Sequence, residues 1–422
     1  MQSILLRRHL LPAMLLLCFI GVLGGLQNQV HGQANGGDPV AAADPAPVAT
    51  SWGTLRLDPA SGWGDATIDS PAAAIALPTP LPNITRAWLG TPAWPGQSLQ
   101  FSFNTDATEI ELHLPPEAVS QSSGEPLQVA LEIAELSQQF PDGRIVLSAL
   151  DAKVEGKQAK LESHPGSHRI GFWANAEDFV RWNYAATRPG MYQVELTYSV
   201  AGKPGSEASD IEVHFGAEVL PATLTGTGSW YRYTTVSLGK VYLPAKAKYD
   251  VAVKCTEKRG GAVMNLKSLT LVPTCEGSPP TQSADGRVIL HAKDVTSNGV
   301  LLQWEPRDIK QTLGFWAKAD DSAYWDFTIT DAGVFDVEIL QGCGTGQGGS
   351  EVDFVFSAWR QEQPTATLPH TVKDTGHWQG FEPMAIGQVS LEAGRYRVRV
   401  IPRTKAGVAV MDLRQVTLTP AE

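Results

Sequence analysis

Arg395, Arg397 and Arg399 alternate with Tyr396, Val398 and Val400 near the end of the chain. Alternation at period two sets three guanidinium groups on one face of a strand, because successive side chains point to opposite sides. A row of planar, permanently charged donors suits sulfate or carboxylate groups, so a sulfated or uronic polysaccharide is one ligand class for it. Cross-strand pairing with Asp or Glu is a simpler explanation of the same residues. Lys246 and Lys248 give a weaker version earlier in the chain. Other chemistry is sparse: no C-x-P-S-R, H-E-x-x-H, C-x-x-C or G-x-S-x-G run exists, and the nine His residues lack ligand spacing. Gly344-Thr-Gly-Gln-Gly-Gly follows a strand with no helix to receive phosphate, and reads as a loop. Among 44 acidic residues, no pair is singled out as the acid and base of a glycosidase. No catalytic residue is expected.

The strands that would carry these residues occur in two copies. I-G-F-W-A-N-A-E-D-F-V-R-W-N-Y around Gly171 answers L-G-F-W-A-K-A-D-D-S-A-Y-W-D-F around Gly314, pairing Trp173 with Trp316 and Trp182 with Trp325. T-G-S-W ending at Trp230 answers T-G-H-W ending at Trp378, and A-V-M-N-L-K-S-L-T-L-V-P answers A-V-M-D-L-R-Q-V-T-L-T-P. A period of roughly 145 residues is far longer than a solenoid unit, so each copy should be a complete domain. Short alternating strands, Gly, Pro and Asn/Asp turns and the absence of sustained helical periodicity predict an all-β chain: two tandem jelly-roll β-sandwiches preceded by a smaller β-domain. The expected boundaries are a signal peptide over 1–34, a linker over 35–50, the β-domain over 51–138, copy 1 over 142–273, a linker over 274–284 and copy 2 over 285–422.

Composition bounds the partners. The net charge of -11 argues against nucleic acid, which needs a basic surface. Twelve Trp in an all-β chain lean mildly towards sugar recognition, although most Trp residues in sandwiches are core. Arg7 and Arg8, the apolar run Leu10 to Leu26 and the small residues around Ala34 predict export, with cleavage after Ala34 or retention as an anchor. Cys18 follows Leu17, where a lipoprotein signal needs a small residue. No later segment is apolar enough to span a membrane as a helix. Cys255, Cys275 and Cys343 remain, an odd count. A hairpin turning at Arg259-Gly260-Gly261 would set Cys275 far along the returning strand from Cys255, so no disulfide is expected between them.

The repeated L-x-A-x-D (Leu147, Ala149, Asp151; Leu290, Ala292, Asp294), the Gly-aromatic strand entry, the late T-G-x-W and the final strand behind Asn265-Leu266 or Asp412-Leu413 resemble family 6 carbohydrate-binding modules and the wider galactose-binding-like jelly rolls. The second copy also resembles domains at the C-terminus of planctomycete sulfatases and glycosidases. The region of I-T-R-A-W-L-G and I-E-L-H-L-P-P-E-A resembles the C-terminal β-domain of family 29 α-L-fucosidases, but the catalytic barrel expected ahead of it has no room before Ile84. The resemblance implies a sugar cleft formed by Trp230, Phe172 or Trp173, and Asn265 in copy 1, and by Trp378, Phe315 or Trp316, and Asp412 in copy 2. There an aromatic ring would stack on a pyranose while an amide or carboxylate fixes hydroxyls. One member of each adjacent Phe-Trp pair must face the core, with Trp173 favoured, and Trp182 and Trp325 are expected core. The family's structural Ca²⁺ is not expected, since Asp151 and Asp294 alone fall short of six to eight oxygens. The leading expectation is an exported, non-catalytic protein that binds polysaccharide or targets a secreted glycosidase or sulfatase. An atypical fucosidase-related hydrolase or sulfatase accessory, and a protein-interaction module without sugar binding, are the alternatives.

Overall fold

Strand Ser322–Ile329 shows how the sequence builds the second copy: Ala323, Trp325, Phe327 and Ile329 are buried while the residues between them are partly exposed. Period-two burial of this kind fixes which face meets the opposing sheet. A computed structural model describes residues 45–121, 125–244, 247–359, 361 and 363–421. The expected signal peptide, Cys18 and Lys246 lie outside the described residues. No helix of the described residues is long and apolar enough to cross a membrane.

The chain is all-β, and each copy is a sandwich of two antiparallel sheets. In copy 2, one sheet runs in the order Gln303–Glu305, Thr312–Gly314, Asp412–Pro420, Gly333–Cys343, His377–Leu391, with Val288–His291 also on Asp412–Pro420. The other runs Thr296–Asn298, Ser322–Ile329, Gly394–Thr404, Glu351–Ala358, Ala366–Thr371. Copy 1 repeats both: Asn265–Thr274 and Gly190–Ser199 are central to one sheet, Phe179–Ala186 and Ala247–Lys258 to the other. The repeated Trp residues fill the space between. Trp173 and Trp316 are fully buried, and their indole N–H groups donate to the carbonyls of Asp178 and Asp321 at 3.0 and 2.9 Å. Trp182 and Trp325 are also buried and donate to the carbonyls of Ser148 and His291, both at 2.8 Å. A buried indole is stable only with such an acceptor, so the fold keeps both the ring and its partner in each copy.

The first region holds its own core between a sheet ordered Val48–Ala49, Gly53–Asp58, Trp63–Ile68, Leu127–Ile133, Ile84–Thr91, Trp94–Ser98 and the three strands Gln100–Phe103, Ile110–His113 and Ala74–Leu77. Those three strands continue the copy 1 sheet, because Arg232 and Tyr233 pair with Ser102 and Phe101. The Tyr233 ring enters the first region's core, stacked 5.7 Å from Phe101. A buried ionic junction completes the contact: Glu132 accepts from Arg86, Arg144, Thr85 and Thr270, and Arg86 also pairs with Glu195 of copy 1. Burial opposes ionisation of Glu132, yet the two guanidinium groups outweigh it and hold the carboxyl down to about 2. Residues 45–422 accordingly form one compact unit.

One expectation is corrected. Arg259-Gly260-Gly261 is not a hairpin turn: Ala247–Lys258 and Asn265–Thr274 belong to opposite sheets, and the segment crosses between them. Cys255 and Cys275 thus lie in different sheets or beyond them, and all three described cysteines are free thiols. The proline-rich segment before copy 2 is anchored at Gln282. Gln282 is buried; its amide oxygen accepts from the Thr330 and Asp331 backbone N–H groups at 2.9 and 2.8 Å, and its amide nitrogen donates to the Gly286 carbonyl.

Candidate functional site

Phe172 and Phe315 stand where a short strand, Arg169–Gly171 or Thr312–Gly314, leaves its sheet one place in from the edge strand Lys160–Glu162 or Gln303–Glu305. Each follows a glycine, Gly171 or Gly314, over which a glutamate folds back. A Cβ on Gly171 would meet Glu162 Oε2 at 2.2 Å, and one on Gly314 would meet Glu305 Oε1 at 2.3 Å. Both phenylalanines adopt left-handed backbone, φ 53° and 57°, and both are exposed, at 58% and 52%. Positive φ is costly for a bulky residue, and an exposed ring gains little burial to offset it. A tight turn fixes the geometry: the Ala174 and Ala317 N–H groups donate to the Phe172 and Phe315 carbonyls at 2.8 and 2.7 Å. The same strained, solvent-facing aromatic therefore occurs twice.

Polar groups adjoin each ring. In copy 1, Lys160 Nζ lies 4.1 Å from the Phe172 ring centre, Glu162 accepts from Arg169 Nε at 2.8 Å, and Asn265 Nδ2 donates to the Trp230 carbonyl at 2.8 Å. In copy 2, Lys310 Nζ lies 5.5 Å from the Phe315 ring centre and pairs with Glu305, while Asp412 accepts from Gln379 Nε2 at 3.4 Å. Burial, and then the negative charge of Glu305, push the Asp412 carboxyl up to about 7. Its protonated form can donate to a hydroxyl, as the Asn265 amide can; its ionised form only accepts.

The resemblance-derived residues separate into groups. Phe172 and Phe315 are free to meet a ligand. Trp173 and Trp316 are not: both are fully buried and bonded to core carbonyls, so they are removed from the cleft. Trp230 and Trp378 are half-buried and packed against their copy's core. The Trp378 indole lies on the backbone of Gly344, where an added Cβ would approach its ring atoms to 2.8 Å, so one part of it is already covered. Asn265 and Asp412 are largely buried beside Gly171 and Gly314. Glu162, Glu305, Lys160 and Lys310 escaped motif reading, although Glu162 and Glu305 stand at matching positions ahead of Gly171 and Gly314. Asp151 accepts from Ser137, and Asp294 pairs with Lys293; no group of three or more metal-ligating side chains occurs among the described residues.

The arginine row lies elsewhere, on strand Gly394–Thr404. Arg397 forms a two-pronged pair with Asp326, at 2.6 and 2.9 Å. The cross-strand explanation therefore applies to one of the three. Arg395 faces Thr328 and stacks 3.5 Å from the Trp359 ring centre, and Arg399 faces Tyr324. Lys248, at the corresponding place in copy 1, is exposed.

No family model matches the chain, and no curated protein matches it. Among solved structures, a family 35 carbohydrate-binding module from Clostridium thermocellum is similar over 31% of this chain and 97% of that one, at 16% identity and a TM-score of 0.26. The C-terminal family 6 module of LamC, a marine laminarinase from Zobellia galactanivorans, is similar over 31% of this chain and 99% of that one, at 15% identity and a TM-score of 0.26. An α-L-fucosidase from Vibrio sp. strain EJY3 is similar at 17% identity over 53% of this chain, with a TM-score of 0.23, and the chain spans 40% of that protein's length.

Proposed function

We propose that this is an exported, non-catalytic protein that binds polysaccharide through the edge of each sandwich, either to hold it or to bring a secreted glycosidase or sulfatase to it. The observation that carries this reading is the pair of exposed phenylalanines in strained backbone, each beside a carboxylate, a lysine and the Asn265 or Asp412 position. A flat ring meets the C–H face of a pyranose, and the neighbouring groups offer donors and acceptors to its hydroxyls. Export rests on the N-terminal apolar run, and the absence of recognisable catalytic motifs supports the non-catalytic part.

A glycan array of neutral and charged oligosaccharides, probed with the secreted chain, tests the proposal. Binding to a defined glycan that is lost in the Phe172→Gly, Phe315→Gly double variant is expected. Retained binding in that variant would remove these sites, and hydrolysis of any arrayed glycan would overturn the non-catalytic reading.

A further inference from the structure

A separate cleft of about 810 Å³ lies where the first region and both sandwiches meet. The first region contributes Trp63 and Trp88, copy 1 contributes Lys240, and copy 2 contributes Trp359 and the arginine row. That volume suits a short oligosaccharide. Six cationic side chains line it against four carboxylates, in a protein of net charge -11, so the cleft carries the opposite sign to the whole. Three of those cations are neutralised at short range: Arg86 by Glu132 and Glu195, Arg144 by Glu132 and Asp142, and Arg397 by Asp326. The other three have no carboxylate partner among the described residues. Lys240 donates only to the carbonyls of Cys275, Glu276 and Gly277. Arg395 lies over the Trp359 ring, and Arg399 is half-buried beside Arg397. Burial and the neighbouring Arg397 charge both disfavour the Arg399 cation.

A partly buried guanidinium without a carboxylate, as at Arg399, is costly unless a ligand completes it, and the exposed Arg395 stands four residues earlier on the same face to share that ligand. Half-exposed indoles stand beside them. Trp63 is held edge-on to Trp88 at 5.1 Å and lies 3.4 Å below the Arg144 guanidinium; Trp359 is braced by Trp94 at 4.4 Å. Rings fixed in this way are ready to receive a sugar without further ordering. We propose that this cleft binds an anionic oligosaccharide, whose carboxylate or sulfate groups pair with Arg395 and Arg399 while its rings lie against the indoles. The site depends on all three parts of the molecule and is independent of the phenylalanine sites.

Calorimetric titration of the full chain at low salt with a heparin hexasaccharide, an oligogalacturonate and a neutral cello-oligosaccharide tests this. At least one of the two anionic probes should bind, at least tenfold more weakly to Arg395→Gln, Arg399→Gln and unchanged by Phe172→Gly, Phe315→Gly. Which of them binds distinguishes sulfate from carboxylate recognition. Lys240→Gln, which leaves the arginine row intact, gives a second variant with the same expected direction, and thermal melts confirm that each variant is folded. Binding of neither anionic probe, or equal binding to wild type and to both cleft variants, would overturn the proposal.

Discussion

Copy 1 and copy 2 carry Lys267 and Arg414 at the same place in their final strands, and the two side chains live in opposite surroundings. Lys267 is completely buried: its amine donates to Asn83 Oδ1 at 2.7 Å and lies 4.7 Å from the Phe103 ring centre, beneath the first region. Burial, reinforced by the Arg169 charge, lowers its pKa well below the ordinary lysine value. Arg414 remains partly exposed, bonded to the carbonyls of Ile309 and Lys310 and lying 3.6 Å from the Phe381 ring centre. The difference comes from what docks on the strand, since the fold beneath it is the same. One copy gave its sheet face to the first region, whereas the other kept that face open and instead placed arginines on its opposite sheet. Asp250 and Asn183 pair in copy 1 where Arg397 and Asp326 pair in copy 2, so the sign of the strand face was changed within one register.

That contrast can be broken at the junction. Glu132→Gln leaves Arg86 and Arg144 buried without full compensation, and should cost about 3–5 kcal/mol. Differential scanning calorimetry should show the loss in a transition of the first region and copy 1, with copy 2 little changed. Because the folded pKa of Glu132 is depressed to about 2, its contribution is fully present above the ordinary carboxylate range and is lost as pH falls towards 2.

Asp412→Asn makes copy 2 resemble copy 1, where Asn265 stands. The raised carboxyl of Asp412 lets the folded state hold its proton from 3.8 up to about 7, so the wild type loses stability as pH rises through that window. The variant avoids this loss. Its advantage should grow by up to about 1.4 kcal/mol per pH unit across the window and then level off. Urea melts at several pH values check it, and an advantage that shrinks with rising pH would contradict it.

Lys267→Met and Arg414→Met should differ in their pH dependence. With a depressed folded pKa, wild-type Lys267 binds fewer protons folded than unfolded below the ordinary lysine value. Relative to Lys267→Met, the wild type should therefore gain stability as pH rises towards about 10, by up to about 1.4 kcal/mol per unit. Arg414→Met should show no such trend. The smallest effect is expected from Phe172→Gly and Phe315→Gly, because relief of the left-handed backbone offsets the greater freedom of glycine in the unfolded chain. Each should stay within about 1 kcal/mol of wild type.

Much of the sandwich was legible because its signals are local. Trp182 and Trp325 lie on period-two strands, and their burial follows from the alternation around them. The crossing at Arg259-Gly260-Gly261 was not legible, since turn residues that close a hairpin also serve a passage between sheets. Alternation put Arg395, Arg397 and Arg399 on one face, but could not reveal that Trp63 and Trp88, some three hundred residues earlier, would face them. The linker composition of 274–284 reports nothing about the Gln282 amide, whose partners Thr330 and Asp331 lie just past a strand nearly fifty residues later. Adjacency in Phe172-Trp173 requires one ring to be core and favours Trp173, as the burial shows, but the left-handed backbone that turns Phe172 and Phe315 outwards was not legible.

One fold presents the same exposed ring twice, and sugar binding at both rings is the proposed function. Calorimetric titration of the full chain with the best neutral glycan from the array, comparing wild type with Phe172→Gly, Phe315→Gly and the double variant, decides it. Each single variant should remove one class of site and the double variant both, with melting behaviour preserved. An unchanged stoichiometry and affinity in the folded double variant would contradict it.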